Sequence, residues 1–227
     1  MHRAAYAVLG LDWTFEAVDV APGELPAHVD ALDASWRALA VTAPHKRDAL
    51  DLADSVTDVA RAAGGANTLL LEQGPRGRHV RADNTDVPGA RAALSEAGVV
   101  DVPVVRVLGA GATAASVAHA VAGLEARVLD ASPSPTGPVD LLVSTVPESV
   151  AGERADAWAA DAAAVFDVVY DPWPTRLSVA ARAAGRPVVT GLDLLAHQAV
   201  LQLRLMTGAS VDVDVVRGAA LEVLASA

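Results

Sequence analysis

Short apolar runs and helical stripes alternate along this chain, with turn residues between them. That is the pattern of an α/β protein with a largely parallel sheet. Residues 3–9 read as a helix, "WTFEAVDV" (13–20) as a strand and "GELPAHVDALDA" (23–34) as a helix. "WRALAVT" (36–42) reads as a strand. Pro44 then opens a helix through Lys46 towards Ala53, since proline is tolerated in a first turn. "ANTLLLEQGPRGRHVRADN" (66–84) predicts two strands joined by a Gly/Pro turn, and a helix follows from Asp86 to Ala97.

A new region begins at "VPVV" (102–105). From Val104 to Asp130 the order is strand, Gly-rich turn, helix, strand, a βαβ unit within about thirty residues. "DLLVSTV" (140–146) and "AVFDVVY" (164–170) supply two further apolar strands. Residues 175–185, 193–208 and 213–227 read as helices. "ASPSPTGPV" (131–139) stands where a crossover helix and another strand belong. Three prolines and a glycine exclude a helix there. A parallel crossover normally takes a dozen or more residues. Nine extended residues reach about 30 Å, enough to return the chain to the opposite sheet edge. The dinucleotide-type half is therefore expected to have a trimmed second crossover.

Composition narrows the function. A net charge of −11 disfavours a nucleic-acid or anionic-membrane surface. The absence of cysteine excludes disulfides, thiolate catalysis and Cys-ligated metals. No run reaches the roughly 18 apolar residues of a spanning helix, and the N-terminal apolar stretch is short for a signal peptide. A cytoplasmic protein with no membrane partner is expected. The histidines lack metal-ligand spacing, so no metal is expected and they read as surface or core-edge groups.

The candidate chemistry lies in the turns. Gly109-Ala110-Gly111-Ala112-Thr113-Ala114 follows an apolar strand and opens a helix. Gly109 permits the tight turn, Gly111 lets a pyrophosphate approach the backbone, and Ala114 lets helix and strand pack closely. Asp130 lies 21 positions after Gly109, where an acidic residue hydrogen-bonds the adenosine ribose of NAD. The alternative is a loop-capping aspartate. No Lys or Arg lies between Arg127 and Arg154, so a 2′-phosphate has no local partner and NAD(H) is favoured over NADP(H). Thr42, Asn67, Asn84, Thr85 and Asp86 fall in turns that gather at the carboxyl edge of such sheets. Each alone reads as a cap or turn. Among them sits Lys46, the sole lysine in a chain whose sixteen other formally basic residues are arginines. An ammonium can give up a proton and a guanidinium cannot.

"VTAPHK", "GGANTL", "NTDVPG", "LGAGATAAS", "DVVYDPWPTRL" and "GLDLLAHQAV", in this order, resemble the motifs of the shikimate dehydrogenase family, which includes quinate/shikimate variants. The resemblance covers nearly the whole chain. It implies an enzyme that interconverts 3-dehydroshikimate and shikimate with a nicotinamide cofactor, NADP(H) by the family pattern. Lys46 and Asp86 would be the catalytic pair, and Thr42, Asn67, Tyr170 and Gln198 would bind the cyclic hydroxy acid. Gly109, Gly111, Ala112, Ala114, Asp130, Thr145 and Gly191 would border the cofactor. The implied fold is an N-terminal α/β substrate domain (1–86), a Rossmann-type dinucleotide-binding domain (87–197) and C-terminal helices returning to the first (198–227). A monomer or homodimer is expected.

The chain departs from that pattern in three places. The family opens with a strand carrying Ser-x-Ser, whose hydroxyls bind the substrate carboxylate. Here the sequence opens at the following helix, which implies an N-terminally shortened enzyme or a degenerate relative. "LDASPSP" replaces the Asn-Arg-Thr-like stretch of NADP-binding members. Ala40 and Asp83 stand where Asn and Gly are usual. Two alternatives follow: a non-catalytic or weakly active relative that binds cofactor or ligand, and a dehydrogenase of quinate or a related cyclic polyol acid.

Overall fold

The computed structural model describes residues 1–75, 77–122, 127–129 and 137–225, the stretch 127–129 as backbone alone. The first helical stripe forms α1 (His2–Leu9), which ends at Gly10 in the left-handed conformation (φ 65°). Then come α2 (Leu25–Ala31), β1 (Ala38–Ala40), α3 (Lys46–Asp51) and β2 (Ser55–Val56). Next is α4 (Asp58–Ala63), which Thr57 caps by accepting from Ala60 N. The expected pair of strands follows as β3 (Thr68–Gly74) and β4 (Gly77–Asp83). Their connection is too short for a crossover, so they pair antiparallel. This first sheet has the order β1-β3-β4-β2, and only its β2–β4 pair is parallel. The largely parallel arrangement read from the sequence does not extend to it.

The strand expected at 13–20 does not form. Its period-two signal is real: Leu11, Trp13 and Phe15 are half-buried and alternate with exposed Asp12, Thr14 and Glu16. A strand also needs a neighbouring backbone for its ladder. This segment instead leans on α1. Arg3 donates from Nε and Nη2 to Phe15 O (2.9 and 2.6 Å), His2 stacks on Phe15, and Trp13 meets Tyr6 edge-on. A groove of about 530 Å³, lined among others by Trp13, Phe15, Val18, Trp36, Leu39 and Thr42, runs between it and β1 at the sheet edge. His2 and His45, expected at the surface or core edge, are buried, and His45 Nε2 contacts Val20 O at 2.8 Å.

The second half realises the βαβ reading. α5 (Asp86–Glu96) leads into β5 (Val104–Leu108), α6 (Ala112–Ala122) and β6 (Arg127–Leu129). β7 (Val139–Ser144), α7 (Glu148–Ala151), α8 (Ala155–Asp161) and β8 (Ala162–Asp167) follow. α9 (Arg176–Ala183) and β9 (Val188–Thr190) complete the set. The sheet is parallel throughout, in the order β6-β5-β7-β8-β9. The chain passes from edge strand β6 to β7, beside β5, within residues 130–138. Asp130 and residues 131–136 lie outside the described residues. Both faces of the sheet are covered. Leu141 and Val143 enter one core with Val105, Phe166 and Val117, while Val139 and Leu142 enter another with Val165, Trp158 and Leu177. That two-sided burial is why these strands read as continuous apolar runs.

The last elements are α10 (Gly191–Thr207) and α11 (Val213–Ala225). α10 opens with a reciprocal cap between Thr190 and Asp193 and runs unbroken across position 198. It packs on α5 and α11 and reaches β3 of the first sheet, so one rigid rod touches both halves. Among the described residues no helix is long and apolar enough to cross a membrane.

Candidate active site

Three chain segments far apart in sequence converge where α10 crosses the first sheet. Lys46 opens α3, Asn67 directly precedes β3, and Asp86 opens α5. All three are buried: 7%, 3% and 6% exposed, respectively. Lys46 Nζ donates to Asp86 Oδ2 at 2.7 Å, and Asn67 Nδ2 donates to Asp86 Oδ1 at 2.8 Å. Both carboxylate oxygens are therefore engaged, and neither Asp86 nor Lys46 is a buried charge without a partner. Asn67 Nδ2 also lies 3.1 Å from Gln198 Oε1, and Asn67 Oδ1 accepts from Thr85 N at 2.8 Å. One turn further along α10, Gln202 Nε2 donates to Asn67 O and Thr68 Oγ1. The asparagine is thus held through backbone and side chain, and the network is dense enough to set its geometry before a ligand arrives.

Lys46 Nζ makes a second bond, to Thr113 Oγ1 at 3.1 Å. Thr113 lies in the first turn of α6, just after the Gly-rich turn. Gly109 has φ 112°, and a Cβ there would lie 2.0 Å from Thr145 Oγ1, which itself donates to Leu108 O. That position needs glycine on both counts. At Gly111 a Cβ would meet nothing within 4 Å, so the backbone faces open space at the start of a helix. Ala114 is buried in the core under β5. A Cβ on Gly191 would lie 2.0 Å from Val168 O, so α10 starts hard against the end of β8. These residues fit a dinucleotide whose phosphates rest on the α6 N-terminus.

Not every expected residue joins the cluster. Thr42 is exposed at the groove, and Tyr170 is 43% exposed in the loop after β8. That loop is tied down by Asp167, whose Oδ2 accepts from Thr175 Oγ1 at 2.6 Å while Thr175 caps α9. Burial pushes the Asp167 carboxyl up to about 6, against the opposing hydrogen bonds from Thr175 and Val169. Thr113, Ser116 and Gln202 escaped the sequence reading. Gln202 carried a signal, being four positions from Gln198 on the same helix face. The two hydroxyls carried none. Among the described residues no group of three or more His, Asp or Glu is arranged to hold a metal ion.

Residues 1–69 match the family model described as shikimate dehydrogenase substrate binding domain, and residues 191–221 match that of the shikimate 5'-dehydrogenase C-terminal domain. The chain is 37% identical over 237 residues to shikimate dehydrogenase (NADP(+)) of Methylobacterium radiotolerans, covering 88% of this chain and 83% of that one. Against the shikimate dehydrogenase (NADP(+)) of Rubrobacter xylanophilus it is 33% identical, over 96% of this chain and 89% of the relative. Two crystal structures are similar in fold. Shikimate dehydrogenase of Mycobacterium tuberculosis has a TM-score of 0.83 and 34% identity, over 97% of this chain and 92% of that one. The Thermus thermophilus shikimate 5-dehydrogenase in complex with NADP(H) and shikimate has a TM-score of 0.81 and 27% identity, over the same shares.

Proposed function

The chain belongs to the shikimate dehydrogenase family, and on that premise we propose that it interconverts 3-dehydroshikimate and shikimate, with Lys46 and Asp86 as the catalytic pair. The observation that carries this reading is the Lys46–Asp86 ion pair. It is buried, braced by Asn67, and bonded to the first turn of the helix that follows the Gly-rich turn.

When bound, a nicotinamide dinucleotide supplies or accepts the hydride. The chain's own residues manage the oxygen and its proton. Charge develops on the ketone oxygen during reduction and needs a donor that can also release a proton. Lys46 Nζ has three N–H groups, and with Asp86 and Thr113 taking two, the third is left for that oxygen. In the reverse direction the same amine takes the hydroxyl proton. Asp86 holds the amine in place, while Asn67 and Gln198 offer amide groups to ring hydroxyls. Thr42, which lines the groove, and Tyr170, in the loop after β8, are proposed to meet the carboxylate end and the outer face of the substrate. Gly109, Gly111, Ala112, Ala114, Thr145 and Gly191 would border the dinucleotide.

The relatives are named for NADP(+), which supports NADP(H) here. Asp130 and the lack of Lys or Arg between Arg127 and Arg154 support NAD(H) as the second reading. Initial rates of shikimate oxidation with NADP⁺ and NAD⁺ side by side test both. Turnover with either carries the reading and the ratio assigns the cofactor. A folded protein that binds dinucleotide without turnover defeats it in favour of a binding relative, and turnover with quinate alone redirects the substrate.

A further inference from the structure

α6 turns two hydroxyls, three positions and so one helical face apart, towards the substrate side. Thr113 Oγ1 accepts from Lys46 Nζ at 3.1 Å, and Ser116 Oγ accepts from Asn84 Nδ2 at 3.1 Å. Asn84 is a joint in its own right. It donates to Gly65 O at 2.8 Å and accepts from Val87 N at 3.1 Å, in the first turn of the helix that Asp86 begins. The dinucleotide-type helix therefore touches the lysine directly and reaches the base of the aspartate's helix through Asn84. A Gly-rich turn needs small residues at positions 109, 111 and 114 and asks nothing of 113 or 116.

The lysine stem has four flexible carbons. A single bond to Asp86 would leave Nζ free to swing about that contact. A second acceptor from the opposite wall fixes both Nζ and the direction of its remaining N–H. We propose that Thr113 is a positioning residue for the reaction: it holds Lys46 from the dinucleotide side of the cleft and aims the third N–H at the substrate oxygen. This rests on the role given to Lys46 above.

Thr113→Val keeps the shape and removes the acceptor, and Thr113→Ser restores it. Misdirecting a proton donor is expected to lower kcat about tenfold in the valine variant. KM for shikimate and Kd for the dinucleotide should stay within about twofold, and serine should recover turnover to within about twofold, because chemistry and not binding is affected. A second readout needs no turnover. Lys46 is the only lysine, so ¹⁵N-lysine labelling gives one side-chain amine resonance. Its proton exchange should speed up about fivefold or more in Thr113→Val and return with serine, as expected when a hydrogen-bond partner is lost. Valine turnover and exchange both equal to wild type would overturn the proposal. So would a loss that tracks weaker dinucleotide binding and a lower Tm and that serine fails to repair, which marks a scaffold role. If the wild type turns over no shikimate, the functional reading falls, and the exchange comparison still decides whether Thr113 holds the lysine.

Discussion

The two sheets of this molecule cover themselves in different ways. The parallel sheet is buried on both faces, and each of its inner strands feeds two cores at once. The mixed sheet has one apolar core, built with Leu69, Leu71, Val80 and Ala82. Its other face meets α10 partly through amides and hydroxyls, with Gln202 on Thr68 and Gln198 on Asn67. Its β1 edge opens on a groove. The parallel sheet is a rigid platform, while the mixed sheet carries the buried polar network where chemistry is proposed. Polar groups can be buried there because each is answered by another from a distant segment.

The comparison breaks most visibly at Lys46. Lys46→Arg should lower turnover by about 10² to 10³, the usual cost of losing one preorganised donor, because the guanidinium keeps its proton. Steady-state rates beside a thermal melt check that the loss is chemical, and near-normal turnover would remove Lys46 from the mechanism. At the joint between the halves, Gly191→Ala should cost about 3 kcal/mol, since its methyl runs into the Val168 carbonyl. Gly111→Ala, facing open space, should change stability by no more than about 0.5 kcal/mol while weakening dinucleotide binding. Urea unfolding and a dinucleotide titration separate the two.

Core truncation should follow the same contrast. Leu142→Ala, in the doubly covered sheet, should cost about 3 kcal/mol, and Leu39→Ala, half-buried on β1, about 1 kcal/mol. Equal losses in denaturation would mean that β1 is packed as tightly as the parallel strands.

Acid titration gives contributions of opposite sign in the two halves. Asp167, at the end of the parallel sheet, is raised to about 6 by burial. The folded state thus binds its proton more tightly, so its stabilisation is full below about pH 4 and is lost as pH rises through about 6. His2, by the mixed sheet, is lowered to about 4 by burial and then by the N-terminal charge. Its stabilisation is present above about pH 6.5 and is lost as pH falls through about 4. Each is worth at most about 3 kcal/mol. Comparing Asp167→Asn and His2→Phe with wild type by denaturation across this range should remove slopes of opposite sign. Slopes of the same sign would contradict these assignments.

Much of the parallel half was legible because its signals are local. The Gly-rich turn and the apolar runs each depend on neighbours in the chain. The ordered motifs single out Lys46, Asn67, Asp86 and Gln198, and the structure brings these four into one hydrogen-bonded cluster. The strand expected at 13–20 failed for a non-local reason. Its alternation is correct, yet among the described residues no strand pairs with it, and a ladder requires one.

Thr113 illustrates the remaining limit. Nothing in "GAGATA" tells that its threonine touches a lysine 67 positions away. By itself the sequence determined the alternation of elements, the glycines that the turns require, and which side chains can hold or release a proton. The tertiary structure alone decided which polar groups meet, how α10 binds one half to the other, and that the first sheet is mixed with an open edge. Turn chemistry and side-chain period act over a few residues, whereas hydrogen bonds between distant segments exist only after the chain has folded.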